Sequence, residues 1–207
     1  MRPYVTCSDK DRLDFWREVE GYPDPPGPVP AVVEQGLRQS LPDGGRIERI
    51  AVRRKGGGSL GRPRYVAIAV LRGGRVVREA KALVPSAWSS AHGDTRAPIR
   101  FDELATGPYR SPDQFLRTER GFIFRRVAAD SRKPDFDTTA DLQLHRKLLE
   151  SMGFDLGAIH AASNARNALR AFLDGLEADR LRKTSKRAAK WVKDDFHEWR
   201  KAFGSRK

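Results

Sequence analysis

Gly56-Gly57-Gly58-Ser59-Leu60-Gly61, then Arg62-Pro63-Arg64, then Tyr65-Val66-Ala67-Ile68-Ala69-Val70-Leu71, is the stretch on which the fold turns. The glycines read G-x-G-x-x-G, a spacing shared by two phosphate-binding devices. One has a strand before the glycines and a helix after them. The other, kinase-type, has strands on both sides and a lysine on the following strand. Residues 65–71 are short, β-branched and apolar, open after a proline and close at Gly73-Gly74, which predicts a strand and a hairpin. The strand–helix context therefore fails. The second arm of the hairpin carries Lys81, where a kinase-type loop places its phosphate-pairing amine. Glycines let backbone N–H groups turn toward a polyanion, and a lysine adds a mobile positive charge. Gly56, Gly58, Ser59, Gly61 and Lys81 are the candidate nucleotide-binding residues; a glycine-rich hairpin with a surface lysine is the plainer alternative.

Working outward, residues 46–54, 63–71 and 75–84 are expected to form three antiparallel strands. On the third, Val77, Glu79, Lys81 and Leu83 share a face by period two. Glu79 is thus a candidate partner for Lys81, and so is Glu103 at the start of a short helix. Kinases place a small apolar residue two positions before the lysine, against adenine; Glu79 stands there instead. A further strand is expected over 121–128, with Arg125 and Arg126 on opposite sides. His92-Gly93-Asp94 reads as a polar surface turn. Asp135-Phe136-Asp137 reads as a helix start, with Asp137 or Thr138 as N-cap. Neither supplies a metal site.

Several motifs in order resemble the second half of a bacterial family, the domain of unknown function 2252 family. They are Gly58-Ser59-Leu60-Gly61-Arg62-Pro63-Arg64-Tyr65, Glu79-Ala80-Lys81, Tyr109-Arg110-Ser111-Pro112-Asp113, Phe124-Arg125-Arg126-Val127-Ala128-Ala129-Asp130-Ser131, Met152-Gly153 and Ala158-Ile159-His160. The resemblance spans roughly residues 46–165. It implies a kinase-like fold that binds ATP, in a family whose first half carries Gly-Asp-x-His-x-x-Asn and Asp-Phe-Asp stretches resembling a catalytic loop and a metal site. No Gly-Asp-x-His-x-x-Asn stretch occurs here. The implied protein is a nucleotide-binding portion inactive alone. A separate polypeptide would supply the catalytic half, and Mg2+ would be held only with it.

Before the sheet, residues 1–45 are expected to be a lead-in. A helix at 9–20 would turn Leu13, Trp16 and Val19 inward; a proline-rich spacer and a weaker helix at 30–41 follow. After the sheet, residues 131–207 are expected to be helical. Leu142, Leu149, Met152, Leu156 and Ile159 form one stripe on a helix from Thr138 to about Ala162, with His160 near its end. A helix at 165–182 would turn Leu169, Phe172, Leu173 and Leu176 inward. The last, 184–203, carries Ala188, Val192, Phe196, Trp199 and Phe203 on one side and basic residues on the other. The fold class is α+β: an antiparallel sheet like a kinase small lobe, then a helical segment.

With 40 Lys+Arg against 27 Asp+Glu the chain is at +13, which favours anionic partners. Residues 180–207 hold 11 basic and 3 acidic residues, so this tail carries +8 of that charge. Lys186, Arg187, Lys190 and Lys193 are the candidate contacts for nucleic acid or an acidic partner, in a non-catalytic binding module that is the alternative to the nucleotide reading. Cys7 stands alone, so no internal disulfide forms and a reducing, cytoplasmic setting is expected. No apolar run approaches the ~18 residues of a membrane span, and no membrane partner is expected.

Overall fold

The structure, a computed structural model, describes residues 7–54, 62–93, 98–130, 142–161 and 165–204. Helix α1 (Asp9–Glu20) starts at a capping box: Ser8 Oγ accepts from the Asp11 N–H, and the Ser8 N–H donates to the Asp11 carboxylate. Asp9 and Asp11 in the first turn also suit the positive end of the helix. Helix α2 (Ala31–Gln39) starts after Pro30. Strands β1 (Arg46–Val52), β2 (Arg64–Leu71) and β3 (Gly74–Ala82) follow, then short helices α3 (Ala87–Ala91) and α4 (Phe101–Thr106). Strands β4 (Arg117–Glu119) and β5 (Phe122–Val127) complete one antiparallel sheet in the order β1-β2-β3-β5-β4.

Both two-residue turns of this sheet place both residues at positive φ: Arg72-Gly73 between β2 and β3, and Arg120-Gly121 between β4 and β5. Such turns match the right-handed twist of the strands they join. The first turn is therefore Arg72-Gly73, one residue earlier than the glycine pair suggested, and Gly74 already belongs to β3. β4, too short for a periodic signal, is absent from the sequence reading.

Both faces of the sheet are covered, which is why β2 reads as an unbroken apolar run rather than an alternating one. On one face Val66, Ile68 and Val77 pack with Val19 of α1, flanked by Phe15, Trp16, Tyr22 and Val127. On the other, Ala67, Ala80 and Phe124 pack with Val33 and Leu37 of α2. Gly36 allows the second contact: a Cβ there would run into the Phe124 ring. The expected lead-in, residues 1–45, thus supplies a helix to each core. Within α1 the inward residues are Phe15, Trp16 and Val19, whereas Leu13 is exposed, contrary to expectation. The segment between the helices also borders the sheet. The Val52 N–H donates to the Pro23 carbonyl, and Arg49 donates to the Glu20 and Tyr22 carbonyls and to Asp24.

The chain divides into two units, Met1–Ile159 and His160–Lys207. Helix α5 (Leu142–Ala161) runs across that boundary; α6 (Arg166–Asp174) and α7 (Arg180–Phe203) belong to the second unit. The helical content after the sheet agrees with expectation; of the expected inward stripes Ile159, Leu169 and Leu176 are partly buried, but most of the rest are not. Leu149, Met152 and Leu156 of α5, Phe172 and Leu173 of α6, and Val192, Phe196, Trp199 and Phe203 of α7 are each half exposed or more. No helix among the described residues is long and apolar enough to cross a membrane.

Candidate functional site: a buried carboxylate beneath a cationic mouth

The chain leaves β1 at Val52, paired with Tyr65, and re-enters the sheet at Arg64. The Arg53 N–H donates to the Arg64 carbonyl at 3.1 Å, which closes the neck of the connection between them. Gly56, Gly58, Ser59 and Gly61 lie outside the described residues; the strands on both sides of them are antiparallel neighbours, as the motif requires.

Directly opposite residues in an antiparallel pair share a face. Arg64 stands opposite Lys81, and Lys81 opposite Ile123; Glu79 stands opposite Val66 and Arg125. Arg64, Glu79, Lys81 and Arg125 therefore occupy one face, at the end of the sheet where the glycine connection begins and ends.

Glu79 is 0% exposed, and its carboxylate is held by Arg53 just beyond β1, Arg64 at the start of β2 and Arg125 within β5. Arg53 Nη1 donates to Oε1 at 2.7 Å; Arg125 donates to Oε2 through Nε at 2.8 Å and pairs through Nη2 at 2.7 Å; Arg64 Nε lies 3.7 Å from Oε1. Burial alone would raise the pKa of this carboxyl. The charge and hydrogen bond of Arg125, then those of Arg53, outweigh it and hold the group below the ordinary carboxylate value. Tyr22 completes the surround, with the Arg53 guanidinium 5.9 Å from its ring centre. Burial, then its hydrogen bond to Glu18, pushes the Tyr22 phenol up to about 12.

This geometry corrects the expected role of Glu79. Its carboxylate is committed to Arg53, Arg64 and Arg125, and no carboxylate among the described residues lies within ion-pair distance of Lys81. Glu103, the other expected partner, is exposed on α4 and pairs with Arg100 of its own turn at 3.5 Å. Neither acid positions the lysine. The Lys81 side chain borders a cavity of about 130 Å³ lined by Arg62, Pro63, Arg64, Ala82, Leu83, Val84 and Ile123. Pockets for organic ligands run to roughly 300–1,000 Å³, so this volume suits an oxyanion such as a phosphate group rather than a nucleoside. The place where adenine would lie, over residue 79, is filled by the guanidinium groups on Glu79, while α1 covers neighbouring Val66 and Val77.

Arg125 faces Glu79, and Arg126, on the opposite side, reaches Asp130 at 3.3 Å, as the alternation of β5 predicts. His92 stacks on Trp88 at the end of α3, with ring centres 3.8 Å apart. Asp94, Asp135 and Asp137 lie outside the described residues. Lys186, Arg187, Lys190 and Lys193 are all exposed on α7.

Sequence reasoning missed a second, part-buried ion pair. Arg78 of β3 donates to Asp113 at 2.6 Å beneath the Phe115 ring, beside a cleft of about 420 Å³ that also touches Trp16, Arg75 and Arg126. Asp113 sits in a proline-bounded loop with no periodic signal. The available hint was the charge on Arg78, in a strand otherwise built to be buried.

No protein-family model, no curated protein and no solved structure matches the chain.

Proposed function

We propose that the sheet unit is the phosphate-binding portion of a kinase-like phosphotransferase. In this reading the glycine connection and Lys81 hold the phosphates of ATP, and a separate polypeptide supplies the catalytic loop and the oxygen ligands for Mg2+. The observation that carries it is the register of Lys81 with Arg64, the first strand residue after the glycine connection, around a small cationic cavity. Lys81, Arg62 and Arg64 supply three positive charges there, and Arg64 alone is committed to Glu79. A triphosphate gains from such fixed cations, while its base would stay outside the occupied face above Glu79.

The test is calorimetry of the purified chain with ATP and with inorganic tripolyphosphate. Both are expected to bind, and Lys81→Ala to weaken both by about 1–3 kcal/mol, the range for a charge-assisted contact. A folded wild-type chain that binds neither refutes the reading, as does unchanged affinity in a folded Lys81→Ala. The chain alone is expected not to transfer phosphate from labelled ATP with magnesium, because positioning of metal and acceptor supplies nearly all the catalysis in this chemistry. Turnover abolished by Lys81→Ala would refute that part.

A second reading, a binding module for nucleic acid, is favoured by the exposed basic side of α7, with Lys186, Arg187, Lys190 and Lys193. It requires affinity that falls steeply with salt and is unaffected by Lys81→Ala.

A further inference from the structure

The cleft of about 420 Å³ lies at the end of the sheet away from the glycine connection. Along β3, Arg75 at the cleft and Lys81 at the other end are separated by about 20 Å. Here β5 parts from β3: their pairing ends at Val77 with Val127, and residues 128–130 line the cleft beyond it. The volume suits a small organic molecule. All the lining belongs to the first unit.

Arg78 and Arg126 stand directly opposite each other on β3 and β5, and both border the cleft. Like charges in that position destabilise a sheet, so the pair calls for negative charge beside it. Asp113 supplies part of it. Its Oδ2 accepts from Arg78 at 2.6 Å and its Oδ1 from the Phe115 N–H at 3.1 Å, which fixes the guanidinium under the ring. Arg78 is 4% exposed, so this half is built in advance. Arg126 is the open half. It is exposed and reaches Asp130, also exposed, at 3.3 Å. An ion pair of that kind contributes little, and a guanidinium has five donors to offer. A carboxylate entering the cleft can take Arg126 from Asp130 through two parallel hydrogen bonds.

The remaining lining says what that carboxylate is attached to. Trp16, Pro42, Leu71, Val76, Phe115 and Val127 are half-buried and give the cleft apolar walls. A bare phosphate would leave those walls in water. A cation would meet Arg75, Arg78 and Arg126, while Asp113 has both oxygens engaged. The Arg75 guanidinium lies over the Trp16 ring at 4.6 Å and that of Arg78 over Phe115 at 5.3 Å, so flat groups border the space. Rings pack well on such surfaces. We propose that the cleft binds a small aromatic carboxylate, its carboxylate on Arg126 and its ring against the apolar walls.

Indole-3-acetate is the probe, titrated into the full chain and followed by NMR at the amides of residues 75–78 and 126–130. A dissociation constant of about 1 mM or tighter is expected for a ligand of this size. Uncharged indole-3-acetamide should bind about tenfold more weakly, and Arg126→Gln should weaken the acid by a similar factor. Asp130→Asn should tighten it about two- to fivefold, because Arg126 loses its competing partner. Both altered side chains are exposed, circular dichroism checks the fold, and opposite signs from the two members of one ion pair cannot come from misfolding. No binding at about 10 mM overturns the proposal. So does equal affinity for the amide, unchanged affinity in a folded Arg126→Gln, or weakening by Asp130→Asn. Displacement by inorganic phosphate at equal concentration also overturns it, by showing a bare oxyanion site. Binding lost in Lys81→Ala but kept in Arg126→Gln does so too, by placing the probe beside Lys81.

Discussion

Replacing Glu79 with glutamine keeps the shape of the side chain and removes the one negative charge among three guanidinium groups. Arg125 is half exposed and can turn to water, but the Arg53 and Arg64 side chains are only 13% and 8% exposed. Removing one partner of a buried pair costs about 3–5 kcal/mol, because a charge is left uncompensated. The amide retains one oxygen acceptor, so Glu79→Gln belongs near 3 kcal/mol and Glu79→Ala near 5 kcal/mol, each roughly. Either is a large share of the ~5–15 kcal/mol that stabilises an ordinary domain. The chain has two units and need not unfold in one step, so the suitable assay is native-state hydrogen exchange of β2 and β3 amides, which reports opening of the sheet itself.

The pH dependence separates charge from shape. The folded pKa of Glu79 is depressed, so its stabilisation is fully present above the unfolded carboxyl value of about 4.3 and is lost as pH falls through the folded one. The gap between wild type and Glu79→Gln should stay level from about pH 8 to 5 and close in more acidic solution, where the native carboxyl is itself neutral. A gap under about 1 kcal/mol at pH 7, or one that persists unchanged until acid unfolding, would show that the arginines do not depend on this charge.

Gly36→Ala should destabilise the sheet unit by about 1–3 kcal/mol in urea unfolding, because the new methyl meets the fully buried Phe124 ring. If Phe124→Leu in that background recovers nothing, the clash is not the cause. Tyr22→Phe should remove a phenolate step near pH 12 from the ultraviolet titration of the folded chain. The Tyr22 pKa is raised on folding, so its stabilisation is present below the unfolded value of about 10 and is lost as pH rises through the folded one.

The sheet was legible because β2 is covered on both faces and so carries a dense apolar run between a proline and a glycine turn. The glycine motif placed its two strands as neighbours, and period two placed Lys81 on the face of Glu79. The partners of Glu79 were not legible. Arg53, Arg64 and Arg125 lie 26, 15 and 46 residues away from it and meet only through the register of three strands, which no single segment encodes. Glu79 looked available to Lys81 because sequence spacing reports a shared face but not competition from neighbouring strands. The helices after the sheet showed their periodicity clearly. A hydrophobic stripe says which side of a helix avoids water, not whether a partner covers it, and on α7 the stripe is exposed.

The segment joining α1 and α2 bears on the solubility of the whole sheet. β1 is an edge strand, and a bare edge of seven residues is a template on which another chain can add a strand. Here the Pro23 carbonyl takes the Val52 N–H while Arg49 ties down the carbonyls of Glu20 and Tyr22. Pro23, Pro25 and Pro26 have no N–H to pass the pairing onward. The irregular register between Ile47 and Arg49 further spoils the edge as a template. The opposite edge, β4, is three residues long and carries Arg117 and Glu119. A stretch that reads as a spacer thus works as a guard against aggregation, keeping a sheet rich in β-branched residues from growing strand by strand into its neighbours.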